Sequence, residues 1–148
     1  MTANLILPGV FAAAGAVCRA VSIRSLFPAR PGGKMSLVVS ITPKRRMHVY
    51  APGTHYRPVT VTLNKIAWLK PGKTVYPNPS IYMFKPLKEQ VLVFSDKFTL
   101  TTPIAIGTIP ARQTQVKITG TLSYQACDDR VCYLPQSVPL EWDVPVRR

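Results

Sequence analysis

The 148-residue chain fits a single domain that can bury its own core, and its 47% apolar content excludes a disordered polymer. Fifteen prolines, about twice the ordinary frequency, favour strands and turns over long helices. Residues 1–88 hold thirteen Lys/Arg and no acid, and all six acids (Glu89, Asp96, Asp128, Asp129, Glu141, Asp143) follow. A basic half attracts anionic partners, but Lys44-Arg45-Arg46 is the densest cluster and no basic helix accompanies it, so nucleic acid is not the expected partner.

In chain order, an apolar run from Leu5 to Val17 has the length of a signal-peptide core, and Ala14-Gly-Ala16 resembles a cleavage site. No Lys or Arg precedes Arg19, and the run is short for a membrane span. Residues 24–34 are rich in Pro, Gly and Arg and read as a linker. The expected division is therefore a leader or degenerate signal segment with linker over 1–33, then a domain over 34–148.

Met35, Leu37, Val39 and Ile41 alternate with polar residues and predict a strand with one apolar face. A short strand follows over 47–50, stopped by Ala51-Pro-Gly53. Val59, Val61 and Leu63 predict a third, running towards Leu69. Three prolines (Pro77, Pro79, Pro86) interrupt residues 76–90, which read as a long loop containing Tyr76, Tyr82 and Phe84. Residues 90–100 read as one strand. Val116, Ile118, Leu122 and Tyr124 mark another, and Val138, Leu140, Trp142 and Val144 the last, with Trp68 and Trp142 assigned to packing. Short strands separated by turns, with no helical periodicity, predict an all-β sandwich.

Chemistry concentrates between the last two strands. Cys127 and Cys132 flank the turn Asp128-Asp-Arg-Val131, and short acidic side chains favour such turns by bonding nearby backbone N–H groups. If the flanking strands pair, the cysteines become cross-strand neighbours, and the closest such pairs have Cα atoms about 4.5 Å apart, near the lower limit for a disulfide. A bridge closing so short a loop stabilises by roughly 2 kcal/mol, against roughly 5 kcal/mol for a loop of about 100 residues. Spacing alone leaves three readings open: a redox pair, a local staple and a metal site. Zinc would need two more ligands, and the only histidines are His48 and His55; Cu(I) on two thiolates is a weaker possibility. No phosphate-cradling glycine loop or nucleophile-elbow serine suggests another enzyme class.

The run YQACDDRVCYLPQSVPL (residues 124–140) resembles the active-site hairpin of the amino-terminal periplasmic domain of the thiol:disulfide interchange protein DsbD, a family with stand-alone relatives called disulfide bond corrector domains. MHVYAPG (47–53) and residues 91–102 extend the resemblance, which covers about 34–145. It implies an immunoglobulin-like β-sandwich that relays reducing equivalents, as a protein-disulfide reductase, between a thioredoxin-like donor and extracytoplasmic thiol proteins in the periplasm. By motif position, Cys132 forms the mixed disulfide with partners and Cys127 resolves it. His48 and Tyr50 match site-lining positions. Residues 84–89 correspond to a cap loop, with Phe84 or Leu87 as its lid, and Tyr124 and Tyr133 are further wall candidates. Arg130 is either a thiolate stabiliser or a solvated turn residue. The resemblance implies no cofactor and allows a membrane-associated donor. Without the membrane core and carboxy-terminal thioredoxin domain of full-length DsbD, the chain is expected to be a fragment or a stand-alone form. The competing reading is a non-catalytic immunoglobulin-like binding module with a local structural disulfide.

Overall fold

The computed structural model describes residues 18–148, and the expected leader over 1–17 lies outside them. Eleven strands are described: β1 (Cys18–Leu26), β2 (Lys34–Pro43), β3 (His48–Tyr50), β4 (Thr60–Leu63), β5 (Leu69–Pro71), β6 (Ser80–Phe84), β7 (Glu89–Phe94), β8 (Phe98–Ile106), β9 (Gln115–Tyr124), β10 (Ala126–Cys127) and β11 (Gln136–Pro145). They form three hydrogen-bonded groups, ordered β1-β2-β8-β5, β10-β3-β7-β6 and β11-β9-β4. The result is the expected all-β sandwich.

The alternating sequence patterns become one core. Leu37, Val39 and Ile41 from β2, Leu100 and Ile104 from β8, Ile118 and Leu122 from β9, and Leu140, Trp142 and Val144 from β11 are buried together. Each strand contributes every second residue because side chains alternate across a pleated sheet. Pro139 and Pro145 are tolerated in β11 because it is an edge strand of its group, with β9 as its ladder partner.

Four boundaries differ from the sequence reading. Residues 24–26 are the end of β1, not linker, and β1 pairs along β2 from Ala20↔Thr42 to Leu26↔Ser36. The sandwich therefore begins before residue 34: Val21 and Ile23 already bury their side chains in the core, an apolar alternation that the flanking Arg and Pro residues mask. The expected loop over 76–90 is a hairpin of β6 and β7 joined by a 3-10 turn at Lys85–Leu87. Its prolines lie outside the ladder, so β6 forms as an edge strand despite them. The strand expected over 90–100 is two strands, broken at Ser95-Asp96-Lys97, and the third strand stops at Leu63.

The chain switches sheets at Gln125. β9 pairs with β11 and β4, whereas β10 pairs with β3 through Ala126↔Val49 and Cys127↔His48. The Gln125 carbonyl accepts the Tyr50 N–H at 3.0 Å at the crossing. Alternation breaks there: Ala126 and Cys127 are both buried, on opposite faces of the second sheet.

Candidate dithiol site

The sheet β10-β3-β7-β6 is covered on both faces. Val49, Leu92, Phe94 and Ala126 face the main core. Tyr50, Phe84, Val91, Val93 and Cys127 face outward and form a second, smaller cluster, with Tyr56 and Tyr82 packed against it. The register explains the grouping: directly opposed residues share a face, and Tyr50 opposes Val93, Tyr82 opposes Val91, and Cys127 opposes His48.

Within this cluster Cys127 is fully buried. Its chain partner across the tip is Cys132, which is exposed, and the two residues form an isolated antiparallel bridge. Such pairing holds the Cα atoms about 4.5–5.5 Å apart, within disulfide range. Both sulfurs are free thiols. The Asp128 carboxylate ties the tip by accepting the Arg130 and Val131 N–H groups through Oδ1, each at 2.8 Å, and the Tyr133 hydroxyl through Oδ2 at 3.1 Å. These bonds hold the Asp128 carboxyl below the ordinary carboxylate range.

One hydroxyl serves both sulfurs. Tyr50 Oη donates to Cys127 Sγ at 3.3 Å and lies 3.2 Å from Cys132 Sγ. A phenol can donate once and still accept, so the Cys132 S–H can complete the group by donating to the same oxygen. Burial pushes the Cys127 thiol up to about 11, and the Tyr50 hydrogen bond acts against that rise. Burial and the two thiols push the Tyr50 phenol upward as well, so it stays protonated and available as a donor.

Two further tyrosines wall the cluster. Tyr56 stacks on Tyr50 with centroids 4.3 Å apart and rings 6° from parallel, and its hydroxyl donates to Glu89. That hydrogen bond raises the Tyr56 phenol to about 12. The Tyr82 hydroxyl donates to Asp129 Oδ1 at 2.6 Å, and its ring lies 3.9 Å from the His48 imidazole. His48 Nδ1 shares a hydrogen bond with Ser95 Oγ at 2.8 Å. Its Nε2 is 3.8 Å from Asp129 Oδ1, too far for a hydrogen bond. Burial lowers the His48 pKa against the pull of Asp129 and favours the neutral ring.

The structure brings Cys127, Cys132, His48, Tyr50 and Phe84 together, and Phe84 is buried against the cluster that holds Cys127. Leu87 on the 3-10 turn is 61% exposed. Tyr124 belongs to the main core, with its hydroxyl on Gln136 at 3.0 Å, and the Tyr133 side chain meets the site through its hydroxyl on Asp128. Arg130 is exposed. Sequence reasoning missed Tyr56 and Tyr82 as site residues. Tyr82 and Phe84 are two apart and share a face, a signal available once 80–84 is read as a strand; Tyr56 sits in the irregular 51–59 connection and carries no such signal. Among the described residues no group of three or more His, Cys, Asp or Glu side chains is placed to hold a metal ion.

A β-sandwich that carries a buried thiol beside an exposed one on a hairpin defines a dithiol-bearing immunoglobulin-like domain. A family model narrows this class: the chain belongs to the family described as thiol:disulfide interchange protein DsbD, N-terminal, matched over residues 21–140. No curated protein matches the chain. Among solved structures it is similar to the reduced DsbD N-terminal domain of Neisseria meningitidis, at 16% identity and TM-score 0.55, over 89% of this chain and 86% of that one. It is also similar to the N-terminal periplasmic domain of ScsB from Proteus mirabilis, at 13% identity and TM-score 0.54; the match covers 94% of this chain and half of that one. At these identities the two likenesses speak to the fold.

Proposed function

We propose that this domain is a protein-disulfide reductase module that relays electrons through reversible formation of a Cys127–Cys132 disulfide. The observation that carries the reading is the asymmetry of the pair: Cys132 is exposed, Cys127 is buried, and one Tyr50 hydroxyl lies within hydrogen-bond reach of both. Membership of the DsbD N-terminal family supports it.

The reaction balances as two exchanges. The Cys132 thiolate attacks one sulfur of a partner disulfide, forming a mixed disulfide and releasing a partner thiolate. Cys127 loses its proton and attacks Cys132 Sγ, which forms the Cys127–Cys132 bond and releases the second partner thiolate. Two electrons pass to the partner, whose thiolates each take up a proton. A dithiol donor returns the domain to its reduced form by the reverse sequence. Rates follow access and thiolate character, which makes the exposed Cys132 the entry point and the buried Cys127 the resolving group. Tyr50 eases the second step by donating to Cys127 as negative charge develops there, while Phe84 and Tyr56 keep other thiols from the buried sulfur.

Thioredoxin-like proteins are the proposed donors and acceptors, because their own disulfides are accessible pairs of this kind. We place the domain in an extracytoplasmic compartment, in keeping with its family and with the periplasmic designation of the ScsB domain. The decisive experiment is trapping. Cys127→Ser, challenged with an oxidised thioredoxin-like protein, should accumulate a covalent complex through Cys132, and Cys132→Ser should accumulate far less. If the Cys127→Ser protein gives no adduct while wild type fails to reduce the same partner, the pair is a local staple in a binding module.

A further inference from the structure

A charged cleft borders the dithiol hairpin. It is lined by Arg45, Arg46 and Met47 from the turn before β3 and by Asp128, Asp129 and Arg130 from the tip between the cysteines, and encloses about 450 Å³. Its two acids are turned to internal work: Asp128 accepts two backbone N–H groups and the Tyr133 hydroxyl, and Asp129 accepts from Tyr82 and faces His48. Arg45 and Arg46 are not so engaged. Both are exposed and form no ion pair or side-chain hydrogen bond among the described residues. Met47 is buried and His48 is in register with Cys127, so the turn carrying these guanidinium groups is anchored beside the tip. Around Cys132 in the chain, Val131 just before it is 50% exposed and Leu134, two residues after it, is 84% exposed.

We propose that this cleft selects redox partners whose reactive disulfide is edged by carboxylates, with Arg45 and Arg46 reading the acidic rim while Val131 and Leu134 contact the apolar surface at the partner's sulfurs. The proposal deepens the relay reading by naming the partner's chemistry. Guanidinium groups suit this task because each presents a rigid fork that a carboxylate can accept bidentately. Fixed charges beside a reactive group steer encounter, an effect that salt screens. The placing of the two free guanidinium groups matters more than the whole-chain charge of +13, because distant lysines are screened at physiological ionic strength.

The test uses two synthetic peptides with the same intramolecular disulfide, one flanked by glutamates and one by lysines. Reduced full-length protein should reduce the Glu-flanked peptide about tenfold or more faster at low ionic strength, and the gap should close in high salt. Arg45→Glu combined with Arg46→Glu should abolish or invert the preference. Lys65→Glu combined with Lys70→Glu, one before β5 and one on it and neither lining the cleft, changes net charge equally and should leave most of it intact. Should the charge-reversed arginines fail to fold, Arg45→Gln with Arg46→Gln should still narrow the gap. Equal rates for the two peptides at low salt overturn the proposal and leave the relay standing. A Cys127→Ser/Cys132→Ser protein that binds the Glu-flanked peptide preferentially, while wild type reduces neither, upholds the cleft and removes the relay. Loss of preference in the Lys65/Lys70 control to the same extent as in the arginine variants also overturns the cleft and reduces the effect to net charge.

Discussion

The two faces of the β10-β3-β7-β6 sheet are built from the same strands and hold different chemistry. The inner face meets a large core of aliphatic and aromatic side chains. The outer face carries a small cluster in which tyrosine hydroxyls are aimed at partners: Tyr50 at the sulfurs, Tyr56 at Glu89, Tyr82 at Asp129. The inner face supplies stability through area removed from water. The outer face is too small for that role and serves to hold one sulfur dry beside one that solvent and partners can reach. The difference gives the proposed relay its physical basis: a bond could open and close on the outer face because the sandwich does not depend on it.

The sharpest way to break this division is to cut the core that the inner face packs on. Leu122, near the end of β9, is fully buried in that core. Leu122→Ala should cost about 2–5 kcal/mol by removing buried methyl groups and leaving a cavity. Urea melts would register that loss, while the folded fraction should still reduce a disulfide at the wild-type rate. A rate falling in step with stability would show that the two faces are coupled.

Phe84→Ala should come next. It uncovers Cys127 and removes a large part of the outer cluster, so it should lower stability by less than the Leu122 variant because the small cluster sits nearer solvent and can relax. Its main effect should be on access. Alkylation of Cys127 by a small maleimide in the Cys132→Ser background should speed up about tenfold or more, as expected when a fully buried thiol becomes reachable.

Much of this division was legible in the sequence, because period-two patterns survive folding unchanged. Residues 35–41, 116–124 and 138–144 read as strands and are strands. The cysteine pair was legible from its acidic turn and its motif. The β6–β7 hairpin was not, because Pro77, Pro79 and Pro86 mask a five-residue edge strand that takes its support from β7 alone. Nor was the switch at Gln125, which depends on where β3 lies in space. The run Val91-Leu-Val-Phe94 held the missing clue. Continuous apolar character marks a strand covered on both faces, and periodicity alone cannot say what the second cover is made of.

Tyr50→Phe should act on rate more than on stability. Losing one hydrogen bond to a thiol costs on the order of 1 kcal/mol. The Tyr50 hydroxyl opposes the upward push on Cys127, so its loss should raise that thiol further and slow resolution. Mixed disulfide should then build up during turnover, and the pH profile of the resolving step should move to higher pH. An unchanged profile would make Tyr50 a packing residue.

The smallest effect concerns the buried sulfur and pH. Cys127 in the folded protein titrates at about 11, above its ordinary value of 9.0, because burial disfavours the thiolate. The unfolded chain therefore sheds this proton first, and linkage pulls the equilibrium towards it. The contribution is fully present below about pH 9 and is lost as pH rises through about 11, by the cited values. Reduced wild type should lose stability over that window, and Cys127→Ala should lose less, with the other titrating groups common to both. The oxidised protein has no thiol at this position and should follow the Cys127→Ala curve. If reduced and oxidised forms instead decline in parallel, the outer cluster does not keep its sulfur dry, and the contrast between the two faces of the sheet fails at the atom that matters most.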